Sequence, residues 1–184
     1  LCVNVSNAAP LHPEPFTQNV HRAYREILDG LELASIFRIW NFIPRIGQHD
    51  DCELNRYMRF NTARFHAFQT HSGNKAYPPA SGVGHAGDDL VIHVLAGADS
   101  VDAISNERQI PPQNYSSKWG PFPPVFARDA LVNCPDYFYG LILSGTASVR
   151  GERTVHPRDI DKQIHETFTN INTVFDAAKI QSHA

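Results

Sequence analysis

Pro111, Pro112, Pro121, Pro123 and Pro124 crowd into one stretch past the middle of this chain. Each proline ring fixes φ and removes an amide donor, so neither a helix nor a central strand runs through such a segment. Residues 97–124 therefore read as a long irregular connection, and the chain divides into two groups of elements around it. The first reads α-β-α-β-β; the second reads β-β-α.

In the first group a strand-like opening gives way to Pro10, Pro13 and Pro15. Thr17 is expected to cap a helix reaching Asp29, with Val20, Tyr24, Ile27 and Leu28 as its apolar face and Gly30 ending it. Residues 35–44 are β-branched and aromatic, are closed by Pro44, and predict a strand. A second helix is predicted over 51–71 from the recurrence of Leu54, Tyr57, Met58, Asn61, Phe65 and Phe68. Arg56, Arg59 and Arg64 fall mostly off that stripe. Strands are expected near 78–83 and 89–95. After the connection, residues 125–132 and 137–145 predict a hairpin turning through Asn133, Cys134, Pro135 and Asp136. A helix from Asp159 to Ala178 carries an apolar stripe of Ile160, Ile164, Phe168, Ile171 and Phe175. One hairpin and one helix make a thin unit with little sheet to bury both faces. The expectation is that a further strand or helix follows residue 184, or that another subunit supplies the missing surface. With no initiator Met, the natural N-terminus is expected upstream of Leu1.

Composition narrows the function classes. Hydrophobic residues are 42% of the 184 positions and aromatics 10%, which suits a packed core and argues against disorder. A net charge of −3 with scattered Lys and Arg argues against a nucleic-acid partner. The apolar runs around residues 90–96 and 141–143 fall far short of the roughly 20 residues of a membrane span, and the opening residues lack a signal-peptide pattern. Cys2, Cys52 and Cys134 are odd in number without a CxxC spacing, which reads as reduced thiols in a cytoplasmic protein. Asn4-Val5-Ser6 and Asn114-Tyr115-Ser116 match the glycosylation sequon by chance on that reading.

Gly82-Val83-Gly84-His85-Ala86-Gly87 fits GxGxxG, but a strand rather than a helix follows it, so the glycines read as a turn and not as a dinucleotide cradle. The histidines show neither HExxH nor zinc spacing, so no metal site is expected. His66 and His71 lie about 140° apart around a helix and read as solvated. There is no GxSxG elbow. Ser144-Gly145-Thr146 ends a strand, where hydroxyls and bare backbone could meet a ligand or simply turn the chain. Arg64, beside Phe65 and on one helix with Asn61, is a candidate fork for a carboxylate, against the alternative of a solvated surface arginine. Glu166 reads as a solvated helix position.

Several stretches then read together, in order: Arg38-Ile39-Trp40-Asn41-Phe42-Ile43-Pro44-Arg45-Ile46; Arg56-Tyr57-Met58-Arg59-Phe60-Asn61-Thr62-Ala63-Arg64; Pro79-Ala80-Ser81-Gly82-Val83-Gly84; Asn106-Glu107-Arg108-Gln109-Ile110; Trp119-Gly120-Pro121; Phe126-Ala127-Arg128; Ser144-Gly145-Thr146-Ala147-Ser148; and Gln163 through Ile171. In this order and spacing the chain resembles the chorismatase family, sometimes called pteridine-dependent deoxygenase-like. The resemblance covers residues from about 20 to 175. It implies an α+β fold of two tandem RidA (YjgF)-type domains, each a mixed sheet packed by helices on one face, as in the small trimeric chorismate mutase. Residues 1–96 would be the later part of a divergent first domain, 97–118 a linker, and 119–184 the opening hairpin and helix of an incomplete second. Gly120-Pro121-Phe122, Ser144-Gly145 and Gln163 also resemble RidA landmarks.

The activity implied is cleavage of the enolpyruvyl ether of chorismate to pyruvate plus a dihydroxycyclohexadiene carboxylate or a hydroxybenzoate, without metal or organic cofactor. It starts with protonation of the enol ether by a carboxylic acid. Chorismate is a dianion, so arginines should hold its carboxylates. Arg64 matches the family's substrate-contacting helix arginine. Tyr115 and Trp119 occupy two positions where the family has tyrosines; Trp119 lacks the hydroxyl, and Ser116 replaces a proline. Arg128, Ser144 and Thr146 lie in matching motifs and complete the candidate substrate-binding set. The family's acid and a further carboxylate-binding arginine belong beyond residue 184, so this chain is expected to be inactive alone. The resemblance also implies a homotrimer. The alternatives are a non-catalytic RidA-like binding module and a RidA-like imine deaminase.

Overall fold

The computed structural model describes residues 1–31, 34–71, 77–134 and 138–182. The first layer is a four-stranded sheet in the order β1-β4-β2-β3, formed by β1 (Cys2–Val5), β2 (Ser35–Pro44), β3 (Ala80–His85) and β4 (Leu90–Gly97). β2 runs parallel to β3 and antiparallel to β4, and β1 caps the edge of β4. Helices α1 (Pro13–Gly30) and α2 (Arg56–Thr70) cover the sheet. Phe16, Val20, Tyr24, Ile27 and Leu28 of α1, Phe60, Ala63 and Ala67 of α2, and Ile39, Ile43, Leu90 and Ile92 of the strands share one core. Fully burying side chains of this size stabilises by about 1.5–3 kcal/mol each.

Both helices start away from their expected positions. α1 begins four residues before Thr17, with Pro13 in its first turn, where a missing amide costs nothing. Thr17 instead donates from inside the helix to the Pro13 carbonyl at 2.8 Å. α2 starts later than residue 51, behind Asn55, whose side chain accepts from the Met58 amide. Its buried face also differs from the expected stripe. Arg56, Phe60, Asn61, Ala63, Arg64, Ala67 and Phe68 point inward, so two of the three arginines lie inside the fold.

The second layer is a three-stranded antiparallel sheet, β5-β6-β7, built from β5 (Ser100–Ile104), β6 (Asp129–Cys134) and β7 (Phe138–Leu143). β5 lies within the segment expected to be irregular. It precedes the prolines and pairs along its whole length with β6, from Ser100 opposite Asn133 to Ile104 opposite Asp129. The connection proper holds two 3-10 turns, at Pro112–Asn114 and Ser117–Trp119. The expected hairpin turn falls partly on Pro135 and Asp136, which lie outside the described residues, while Asn133 and Cys134 continue β6. A short hairpin of β8 (Val149–Arg150) and β9 (Arg153–Thr154) leads into α3 (Ile160–Ser182).

The apolar stripe of α3 faces outward. Ile160, Ile164, Phe168 and Phe175 are exposed, whereas Glu166, Asn170, Val174 and Ala178 are buried. The reason is a polar network. Glu166, 2% exposed and not solvated as its helix position suggested, receives the Arg150 guanidinium through Nε at 2.8 Å and Nη2 at 2.7 Å, and also Arg108 Nη2. Asn170 donates to the Ala147 and Val149 carbonyls and accepts from Arg108 Nε. The two layers meet where Pro79 bridges Ala127 and the Ala127 amide donates to the Pro78 carbonyl.

Candidate functional site

That seam opens into a cavity of about 310 Å³, at the small end of ligand pockets. Its walls come from α2 (Tyr57, Phe60, Arg64), β2 and β3 (Asn41, Ser81, Gly82), and the second layer (Phe126, Arg128, Thr146, Val149). Among the described residues, no aspartate or glutamate lines it.

Two arginines of α2 separate structural from ligand-directed burial. Arg56 is engaged through both terminal nitrogens: it donates to the carbonyls of Ala8, Ala9 and Leu11 at 2.9–3.1 Å and stacks over Phe16. It pins the N-terminal segment. Arg56 also lines a separate cavity of about 300 Å³, with both of its terminal nitrogens already bonded to carbonyls. Arg64 is 3% exposed and packs against the Tyr24 and Phe68 rings, yet its Nε and Nη2 find no partner. A buried cation with idle donors is costly unless an anion arrives. Arg128, held between Tyr115 and Phe126, likewise leaves Nε unpaired, while its Nη2 donates to Tyr115 Oη.

The neighbouring polar groups are fixed. Tyr24 Oη donates to Asn41 Oδ1 at 2.5 Å, and Asn41 Nδ2 donates to the Ser81 carbonyl. Burial pushes the Tyr24 hydroxyl up to about 12, against the opposing pull of Arg64, so it stays a neutral donor. Burial likewise raises Tyr57. Thr146 lines the cavity and accepts from Gln109.

The structure thus brings Arg64, Arg128 and Thr146 onto one cavity and sets Tyr115 against Arg128. Ser144 stands behind the wall: its hydroxyl accepts from the Ala80 amide at 2.8 Å and donates to the Ala127 carbonyl at 2.6 Å, stitching the layers together. Trp119 lies apart, 39% exposed and with Lys118 over its ring.

Asp129, Ser81 and Arg38 were not singled out from sequence. Asp129 follows Arg128 and lines a very small adjoining cavity with Asn106, Gln109 and Asn170. It is 4% exposed, and burial lifts its carboxyl to about 7 against the pull of the Ser144 amide, Arg128 and Arg38. The signal available was a charged pair, Arg128-Asp129, opening an otherwise apolar strand.

Residues 1–96 match the family model described as "Chorismatase FkbO/Hyg5-like, N-terminal". The chain belongs to the chorismatase family. It is 32% identical over 176 residues to a 3-hydroxybenzoate synthase of Streptomyces hygroscopicus, spanning 91% of this chain and 52% of that one. It is 28% identical over 171 residues to a chorismatase of Streptomyces rapamycinicus, spanning 91% and 51%. A chorismatase crystal structure superposes with a TM-score of 0.79 at 25% identity, covering 94% of this chain and 52% of the other. The chain therefore spans about half the length of the relatives it matches. The mixed α+β architecture agrees with that solved fold. No helix among the described residues is long and apolar enough to cross a membrane.

Proposed function

We propose that this chain supplies the anion-binding wall of a chorismate site. In the whole protein that site cleaves the enolpyruvyl ether to pyruvate and a dihydroxycyclohexadiene carboxylate or a hydroxybenzoate. One observation carries the reading. Arg64 and Arg128, both buried and both with unpartnered donors, face one cavity to which the described residues contribute no carboxylate. A dianion answers both vacancies through charge-assisted hydrogen bonds. Protonating an enol ether needs an acid within reach of the substrate, and no carboxyl of the described residues lines this cavity, so the chain by itself is proposed to bind without turnover. That observation favours a binding module over an imine deaminase as the second reading. Tyr115 and Thr146 are proposed to contact substrate beside the arginines, Ser144 to support the wall, and Trp119 to lie at its periphery.

The wider reading is of two tandem RidA-like units, with residues 1–96 in the first and 119–184 in the second. The 97–118 connection lends β5 to the second sheet. A cytoplasmic setting fits three free thiols, and a trimer fits the exposed apolar stripe of α3.

Calorimetric titration with chorismate tests the reading. Arg64→Met is expected to weaken binding at least about tenfold, the loss of one charged hydrogen-bonding partner. It should leave the urea midpoint unchanged or raised, because it removes a buried unpaired cation. Pyruvate release, followed by coupled NADH oxidation, is expected to be nil. Pyruvate release that Arg64→Ala abolishes would overturn the binding-only assignment.

A further inference from the structure

The hydroxyl of Ser81 is committed in an unusual way. Its Oγ accepts from Arg38 Nη2 at 2.6 Å and from the Gly145 amide at 2.9 Å. A serine hydroxyl has two acceptor lone pairs and one proton. Both lone pairs are used by the protein, and no acceptor for the proton stands among the described residues. Ser81 also lines the seam cavity. The group is therefore a donor that cannot accept, held at the wall of a site with idle arginine donors.

We propose that Ser81 donates its hydroxyl proton to a carboxylate oxygen of the bound ligand, and that Arg38 acts through Ser81 as a positioning residue. The identity of the ligand rests on the chorismate reading; its charge does not. Arg38 is 6% exposed, stacks over Trp40, leaves Nη1 unpaired, and makes no ion pair with a carboxylate among the described residues. A guanidinium donating to a hydroxyl oxygen polarises the O–H bond and strengthens it as a donor. Burial lowers Arg38 to about 10, which still leaves it cationic at neutral pH. The second clamp depends on Gly145: a Cβ there would stand 2.9 Å from Ser81 Oγ, closer than the amide could be approached with a side chain in place.

The test compares an anion with its neutral methyl ester on the full chain, by NMR titration with benzoate and with methyl benzoate, and with chorismate alongside. The wild type is expected to prefer benzoate. Ser81→Ala should reduce that preference about tenfold, one charge-assisted hydrogen bond's worth. Ser81→Thr should retain it, and Arg38→Met should reduce it in the same direction. If Ser81→Ala does not fold, Ser81→Cys, of similar shape but a weak donor, should show the same loss. Equal weakening of both ligands, or an unmoved ratio, would overturn the assignment and leave Ser81 a structural residue. Benzoate preference that moves with Ser81 in a chain that ignores chorismate would retire the chorismate reading and keep Ser81. Chorismate binding with an unmoved ratio would do the reverse. A wild type that binds neither anion would overturn both.

Discussion

Helices α2 and α3 both bury charged side chains, but for opposite reasons. α2 packs an apolar face of Phe60, Ala63 and Ala67 into the main core and carries Arg56 and Arg64 in with it. α3 docks through Glu166 and Asn170 onto loop carbonyls and two arginines, and leaves Ile160, Ile164, Phe168 and Phe175 outside. The apolar cluster beneath it is correspondingly small: Ile104, Val174 and Ala178, with Leu131, Leu141 and Leu143 packed against them. An amphipathic stripe does not choose the buried face when neighbouring loops present a complete set of hydrogen-bond partners to the other side.

The largest effect separating the two helices is expected at Phe60. Phe60→Ala should cost about 3–5 kcal/mol by urea unfolding, because a fully buried ring leaves a cavity in the main core. A cost below about 1 kcal/mol would mean that α2 is not anchored by that core.

A smaller effect is expected at the polar anchor of α3. Glu166→Gln should cost about 2 kcal/mol near neutral pH through lost charged hydrogen bonds. The Arg150 contact, then Arg108, holds the Glu166 carboxyl down at about 2 against an ordinary 4.5. Its folded value is depressed, so its contribution is complete above about 4.5 and is lost as pH falls towards 2. Urea midpoints measured across that window should fall steeply for the wild type and less for Glu166→Gln. His156, 3.7 Å from the carboxylate, faces the same group. Parallel profiles for the two proteins would remove Glu166 as the anchor.

The smallest effect is expected on the outer face of α3. Phe168 is 60% exposed, so Phe168→Ser should shift unfolding by no more than about 0.5 kcal/mol in dilute solution. A loss of more than about 2 kcal/mol would show that the stripe is covered in solution and that the contrast with α2 is one of partner, not of principle.

Much of the first layer could be read along the chain. Periodicity marked α1, β2, β4 and the existence of α2, because each buries one regular face in a shared core. Ordered motifs pointed to the chorismatase family, and Arg64 stood out as a possible carboxylate fork. The strand expected after the GxGxxG glycines is β4, but the turn expected of them is found only at Gly87, because Gly82 and Gly84 lie inside β3, paired with β2.

What the tertiary structure alone decided is pairing. β5 was hidden because five residues carry little periodic signal until β6 lies beside them. The same pattern that placed Arg56 and Arg64 off the apolar stripe of α2 could not tell a pinned arginine from an idle one. That difference lies in whether distant carbonyls, at Ala8, Ala9 and Leu11, reach the guanidinium. Ser81 acquires its donor-only character from residues 43 positions behind it and 64 ahead. Hydrogen-bond satisfaction is a property of the assembled fold, so the sequence determined which groups this protein carries, and the packing of two layers across one seam decided which of them are left free to meet a ligand.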